Sequence, residues 1–177
     1  HWAVWINDYL KAYDPDPLRY LLSANMPEFA DTDFTWKEFV RRNNDELIAN
    51  WGNLANRVLT FTYKNFDQRV PTPGELTDAD RALIEKSETA FAYIGDALGR
   101  VRFKEAIGIA VDLARAGNQY LQITEPWKTI KVDRARAATS LYVALRVIDN
   151  LKTLFYPFLP FSSNDLHRQL GYDGDLL

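Results

Sequence analysis

The chain has no cysteine and only two histidines among its 177 residues. Without cysteine, neither a disulfide framework nor a zinc site built on thiolates can form. The two histidines, His1 and His167, lie too far apart in the sequence to indicate a zinc site. We therefore expect no metal site and no cysteine chemistry.

Long apolar runs are also missing. No run approaches the roughly 20 residues that cross a bilayer, and the first residues lack the basic, apolar and small-residue pattern of a signal peptide. A cytoplasmic location with no membrane contact is therefore the default expectation. The composition, with 47% hydrophobic and 25% charged residues, is that of a globular chain able to bury one core.

The chain carries no excess of positive charge. Its net charge of -3 argues against DNA binding and against any broad, sequence-independent binding of nucleic acid, because phosphate neutralisation needs surplus Lys and Arg. A local surplus does occur at Lys128, Lys131, Arg134 and Arg136. From charge alone, a solvated start of a helix explains that run more economically than a binding site. A stand-alone enzyme is poorly supported, since no nucleophile with a partner base, metal cluster or phosphate loop is visible.

Helical periodicity dominates the sequence, and strand signals are scarce. The longest helical pattern begins at a predicted capping box of Thr35 and Glu38 and runs to about Phe66. Three later helices should begin near Thr77, Phe103 and Asp133 and end near Gly99, Pro126 and Pro157, followed by a short helix from Ser163 or Asn164 to Gly171.

The residues before position 35 indicate shorter elements. A first element through Leu10 should stop at Asp14, and Asp16 is predicted to cap a second helix that begins at Pro17. We therefore predict an all-α protein, with a helical connector over residues 1–34 and an antiparallel helix bundle over residues 35–177.

Three side chains carry the functional prediction. Asn53 and Arg57 are four residues apart on the predicted long helix, so they share one face, and Trp127 follows Pro126 where a later helix must end. An amide and a guanidinium can bind base edges, and an indole can stack on an unpaired base. The combination indicates single-stranded RNA. Taken singly, a solvated face explains the Asn and Arg, and a core plug or lid explains the Trp.

Several motifs resemble the C-terminal part of the methionyl-tRNA synthetase family, in the expected order and over nearly the whole chain. They are Trp2-Ala3-Val4-Trp5 through Asp14-Pro15-Asp16-Pro17-Leu18-Arg19-Tyr20, Pro27-Glu28 with Asp31-Thr32-Asp33-Phe34-Thr35-Trp36, Gly52-Asn53-Leu54-Ala55-Asn56-Arg57, Asn118-Gln119-Tyr120, Glu125-Pro126-Trp127 and Pro157-Phe158 with Pro160-Phe161-Ser162-Ser163.

The resemblance implies a class I synthetase bundle that recognises the CAU anticodon of tRNA(Met), including the initiator. It implies that Asn53 and Arg57 contact anticodon bases and that Trp127 stacks on the first of them. Pro126 would fix the approach of Trp127, and Lys128, Lys131 and Arg134 are candidate contacts to the tRNA backbone.

The catalytic signatures of the family are absent. Neither the His-Ile-Gly-His type motif nor the Lys-Met-Ser-Lys-Ser loop occurs in the sequence. We expect a piece of a methionine–tRNA ligase that is inactive alone and holds no cofactor, whereas the parent enzyme uses ATP. Its second partner would be the missing catalytic domain. Two alternatives stay open, namely the anticodon domain of a sister class I synthetase and a helical scaffold that binds protein.

Overall fold

The computed structural model describes residues 4–27 and 32–176, and within these ranges all regular structure is helical. Trp2 and residues 28–31 of the predicted connector over residues 1–34 lie outside the described residues. The helices are α1 (Ile6–Tyr9), α2 (Pro15–Ala24), α3 (Trp36–Arg42), a π-helical segment (Asn43–Gly52), α4 (Asn53–Asn65), α5 (Asp78–Gly99), α6 (Phe103–Thr124), α7 (Pro126–Thr129), α8 (Arg134–Phe155) and α9 (Pro160–Gln169). The predicted all-α helix bundle is confirmed.

Side-chain caps mark the starts of α3, α5 and α8. Thr77 Oγ1 accepts a hydrogen bond from Asp80 N at 3.3 Å, and the Asp80 carboxylate accepts one from Thr77 N at 2.9 Å, which completes a capping box at α5. Asp133 caps α8 by accepting from Arg136 N at 2.8 Å. Thr35 caps α3 through Glu38 N at 3.2 Å. These starts match the sequence prediction. The capping box predicted at Thr35 and Glu38 is not complete, because the Glu38 carboxylate accepts hydrogen bonds from Arg41 and Arg42 instead.

The long helix predicted from Thr35 to Phe66 is continuous but not uniformly α-helical. Between α3 and α4, residues 43–52 form a π-helix, in which each turn takes in an extra residue. The wider turn rotates the side chains of α4 relative to those of α3. A single α-helical wheel drawn through residues 35–66 therefore assigns side chains to the wrong faces after the π-helical segment. The predicted length of the helix is correct.

The sequence predicted that Asp16 caps its own helix, and this prediction is wrong. Helix α2 begins at Pro15, and the buried Asp16 carboxylate instead accepts hydrogen bonds from Ser162 N at 2.7 Å and Ser162 Oγ at 2.5 Å. These donors lie in the first turn of α9, which begins at Pro160 rather than at Ser163 or Asn164 because proline fits the first helical position. Asp16 thus joins the connector to the last helix.

The core lies between α4, α5, α6 and α8. Tyr20 of the connector is fully buried in it, and its hydroxyl donates to Glu46 Oε2 at 2.6 Å. A smaller cluster outside it contains Tyr9, Leu18, Leu21 and Phe39. Helix α2 therefore contributes to both clusters, and the boundary at residue 34 stays a prediction.

A buried carboxylate connects three of the long helices. Asp80 of α5 accepts two hydrogen bonds from the Arg136 guanidinium of α8, at 2.6 and 2.7 Å, and one from the Tyr120 hydroxyl of α6 at 2.6 Å. Burial opposes its charge, yet the bonds from Arg136, Tyr120 and Thr77 outweigh burial and hold the pKa of Asp80 well below its usual value. Asp80 is therefore ionised at neutral pH.

We expect Asp80→Asn to lower the free energy of unfolding at pH 7 by about 3 kcal/mol, because it leaves Arg136 without its buried counter-charge. The depressed pKa stabilises the fold above the unfolded value of about 3.9, and that contribution is lost as pH falls below it. At pH 3 the difference in the free energy of unfolding between the wild type and Asp80→Asn should be about 1 kcal/mol smaller than at pH 7. Urea unfolding followed by circular dichroism measures both values.

Asp78→Asn is the matched control, since Asp78 lies in the same first turn of α5 with a fully exposed side chain. It should change stability little at either pH. A difference for Asp80→Asn that stays constant between pH 7 and pH 3 would contradict the depressed pKa.

Candidate nucleic-acid interface

Arg57 and Trp127 meet in the folded chain although 70 positions separate them in the sequence. The guanidinium carbon of Arg57 lies 4.5 Å from the centroid of the Trp127 ring, which is a cation–π contact. Arg57 is exposed on α4, whereas Trp127 is half-buried and packs against the core. Two of the predicted site residues therefore form one surface.

Asn53 lies one helical turn before Arg57, as the first residue of α4, and its side chain is exposed. Its amide nitrogen is 3.5 Å from the Ala49 carbonyl oxygen, beyond the usual length of a hydrogen bond. The amide group can therefore turn to another partner at little cost. The structure places it beside Arg57 on the same helix, as the four-residue spacing predicts.

The backbone before Trp127 is sharply constrained. Glu125 ends α6 in a left-handed conformation with φ 39° and ψ 56°, which is uncommon for a residue other than glycine. Pro126 then begins α7 and is buried. Thr129 ties the turn back to α6, because its hydroxyl donates to the Thr124 carbonyl at 2.8 Å. Trp127 is thus presented by a rigid turn.

The basic side chains after Trp127 differ in their contacts. Lys128 pairs with Glu125 at 2.6 Å and remains exposed, and Lys131 is exposed as well. The Arg134 guanidinium donates to the Asn65 carbonyl at the end of α4 and lies 4.6 Å from the Phe66 ring centroid. Arg134 therefore fastens the start of α8 to α4, the helix that carries Asn53 and Arg57.

Two other features are absent from the described part of the chain. It contains no group of three or more histidine or acidic side chains placed to hold a metal ion. Of the helices within residues 4–27 and 32–176, none combines the length and apolar character needed to cross a membrane.

Comparison with known protein families shows which family the chain belongs to. The family model for the anticodon binding domain of methionyl tRNA ligase matches residues 70–176, and the model for class I tRNA synthetases (M) matches residues 1–59. The chain belongs to the methionyl-tRNA ligase anticodon-binding family. The resemblance seen in the sequence motifs is confirmed.

Individual relatives agree with this assignment. The methionine–tRNA ligase of Chloroflexus aurantiacus is 57% identical over 172 residues, covering 97% of this chain and 28% of that protein. The one from Roseiflexus castenholzii is 51% identical over 176 residues, covering 99% of this chain and 30% of that protein. The chain thus spans less than a third of the length of these relatives.

A solved structure shows the same fold. Mycobacterium tuberculosis methionyl-tRNA synthetase, in complex with methionyl-adenylate, superposes with a TM-score of 0.88 at 29% sequence identity. The match covers 92% of this chain and 33% of that one. The helix bundle described above is therefore that of the methionyl-tRNA synthetases.

Two residues that position the site in this anticodon-binding bundle were not predicted as such. The Asn118 side chain of α6 donates to the Asn50 carbonyl at 2.9 Å, in the π-helical segment just before Asn53. Gly117 lets α6 approach α4 so closely that a Cβ there would lie 2.9 Å from Leu54 Cδ2. The sequence signal was available, since a glycine inside a helical pattern often marks close packing.

We expect Gly117→Ala to destabilise the anticodon-binding bundle by about 1–3 kcal/mol, because Leu54 is fully buried and cannot move aside freely. Gly108→Ala is the control on the same helix, where an added Cβ meets nothing within 4 Å. It should stabilise by up to about 1 kcal/mol through helix propensity. Thermal or urea unfolding compares the two variants, and equal effects would contradict the close approach at Gly117.

Proposed function

We propose that this chain is the part of a methionyl-tRNA synthetase that binds the CAU anticodon of methionine-accepting tRNAs, including the initiator, in the cytoplasm. The complete enzyme is then a methionine–tRNA ligase that uses ATP, and this chain contributes recognition and no catalytic group. The observation that carries the proposal is the joint surface of Asn53, Arg57 and Trp127. Family membership supplies the ligand class, and the geometry supplies groups that suit it.

Each side chain has a distinct role in this proposal. Trp127 offers a fixed aromatic ring for stacking by the first anticodon base, and Pro126 holds its approach. Asn53 can donate to and accept from the edge of a base, and Arg57 can donate to two acceptors at once. The backbone of all three residues belongs to helices, so little backbone entropy is lost when RNA binds.

Lys128 and Lys131 suit contacts to the tRNA backbone, since both are exposed near Trp127. Arg134 is exposed too, but its contacts with Asn65 and Phe66 make it a weaker candidate for a phosphate. We keep it as a candidate contact whose main role is to hold α4 against α8.

The two alternatives lose support. A protein-binding scaffold would be favoured if the basic run faced away from Asn53 and Arg57. Instead, Trp127, which directly precedes the run, and Arg134, which belongs to it, both contact α4 or its end. A sister class I synthetase is disfavoured because the matching relatives are methionine–tRNA ligases.

We expect Trp127→Ala to weaken binding of a CAU anticodon stem-loop by about 1–3 kcal/mol, the range for one base stacked on an aromatic ring. Binding is measured by titration of the stem-loop into the chain at fixed salt, with a matched stem-loop that carries another triplet. Tyr93→Ala is the control, because Tyr93 is 65% exposed on α5 and takes no part in the site.

Wild-type binding that ignores the triplet would contradict anticodon recognition. Selective binding that survives Trp127→Ala unchanged would remove Trp127 from the site while leaving the function in place. Circular dichroism of each variant shows whether the bundle has kept its fold.

We also propose that the catalytic domain of the same synthetase covers an apolar face of the connector. Trp5, Ile6, Leu10 and Tyr13 are each about half exposed or more, whereas Tyr9 turns inward against Phe39. Large apolar patches of this kind usually mark contact surfaces.

This second proposal predicts that the isolated chain self-associates through the exposed face of the connector. The double variant Trp5→Ser with Leu10→Ser should be monomeric at concentrations where the wild type forms dimers. Analytical ultracentrifugation measures this. In a complete synthetase, hydrogen exchange around residues 5–13 should be slower than in the isolated chain, and equal exchange would contradict the docking.

A further inference from the structure

The cation–π contact has a consequence for how a base reaches Trp127. The Arg57 guanidinium carbon is 4.5 Å from the ring centroid, so the cation occupies the space that a base stacked on that face needs. Part of the indole already packs against the core. A base that stacks on the face covered by Arg57 must first displace the guanidinium.

The exposed Arg57 side chain is held only weakly. Among the ion pairs and side-chain hydrogen bonds of residues 4–27 and 32–176, none involves Arg57, whereas Arg41, Arg42, Arg100, Arg136 and Arg146 all pair with carboxylates. Its contact with Trp127 is thus what holds it in place. A cation–π contact at an exposed site is weaker than a stacked base, so the exchange can proceed in favour of the base.

We propose that Arg57 is a displaceable cover on the stacking face of Trp127, and that its displacement contributes to anticodon selectivity. This inference rests on the proposed function. The first base takes the place of the guanidinium on the indole, and the released guanidinium then donates to acceptors on the anticodon bases.

The replacement of the guanidinium by a base distinguishes one triplet from another because its two steps, stacking and rebinding of the guanidinium, depend on different features of the RNA. Any base can stack, since every base has a flat face. Only a triplet that offers acceptors within reach of the released guanidinium replaces the contact that Arg57 gave up. A wrong triplet therefore loses the cation–π contact and gains nothing for it, which lowers its affinity relative to the correct one.

The cover is tested in the free protein first, without any RNA. The NMR signals of the Arg57 side chain should be shifted upfield by the ring current of Trp127, and Trp127→Leu should abolish the shift. Addition of the CAU stem-loop should move the signals away from their shifted position. Unshifted signals in the free chain, or signals that stay shifted in the complex, would overturn the proposal while the anticodon function stands.

The selectivity is tested with Arg57→Ala. Removing the cover should weaken binding of the CAU stem-loop and strengthen binding of a non-cognate stem-loop by about two- to fivefold, the factor that corresponds to an exposed cation–π contact. Arg57→Lys should keep non-cognate binding low, because an ammonium can still lie on the ring, yet it should lose cognate affinity because it lacks the planar fork.

Arg100→Ala serves as the matched control, since this exposed arginine lies at the opposite end of α6 from Trp127. It removes the same charge and should change both affinities alike. A parallel loss of cognate and non-cognate binding in Arg57→Ala would make Arg57 a simple contact and overturn the cover alone. Failure of the wild-type chain to bind either stem-loop would overturn the anticodon function, and the exchange with it.

Discussion

The ionised carboxylate of Asp80 is the constraint on which the arrangement of the interface depends. Its partners Tyr120 and Arg136 lie on either side, in sequence, of the segment that carries Trp127. One buried charge from α5 therefore fixes both ends of that segment. A buried ion pair contributes little net stability compared with apolar packing, but it specifies geometry when every hydrogen bond is satisfied.

Contacts at the two ends of α4 then set the position of this helix relative to α7. Gly117 and Asn118 bring α6 against the start of α4, where Asn53 lies. Arg134 holds the other end of α4 through the Asn65 carbonyl and the Phe66 ring. Asn53 and Arg57 thus lie on a helix that is held at both ends, and their distances from Trp127 do not rely on a flexible loop.

Features encoded locally were predictable from the sequence, and features that join distant segments were not. The caps at Thr77 and Asp133 need only residues three positions away, so both helix starts were predicted correctly. Asp16 has the same local signature, but its carboxylate binds α9, 146 positions away. The π-helical segment was missed as well, because apolar spacing alone does not distinguish it from an α-helix.

The candidate site shows the same division. The four-residue spacing of Asn53 and Arg57 predicted their common face, because helix geometry is local. That Trp127 lies against Arg57 follows from the packing of α6 and α8 on α4, and only the family resemblance pointed to it in advance. The basic run after Trp127 predicted RNA contacts only in part. Arg136 donates to the Asp80 carboxylate, and Arg134 donates to the Asn65 carbonyl of α4.

The link between Asp16 and Ser162 also bears on the order in which the chain acquires its structure during synthesis. Helix α2 leaves the ribosome well before α9, and its buried carboxylate finds its partners only after the first turn of α9 has emerged. Until then the Asp16 side chain must remain in water, because burying it without donors is costly. The ribosome must therefore add the 146 positions between Asp16 and Ser162 before α2 can be fixed in its final place on the bundle.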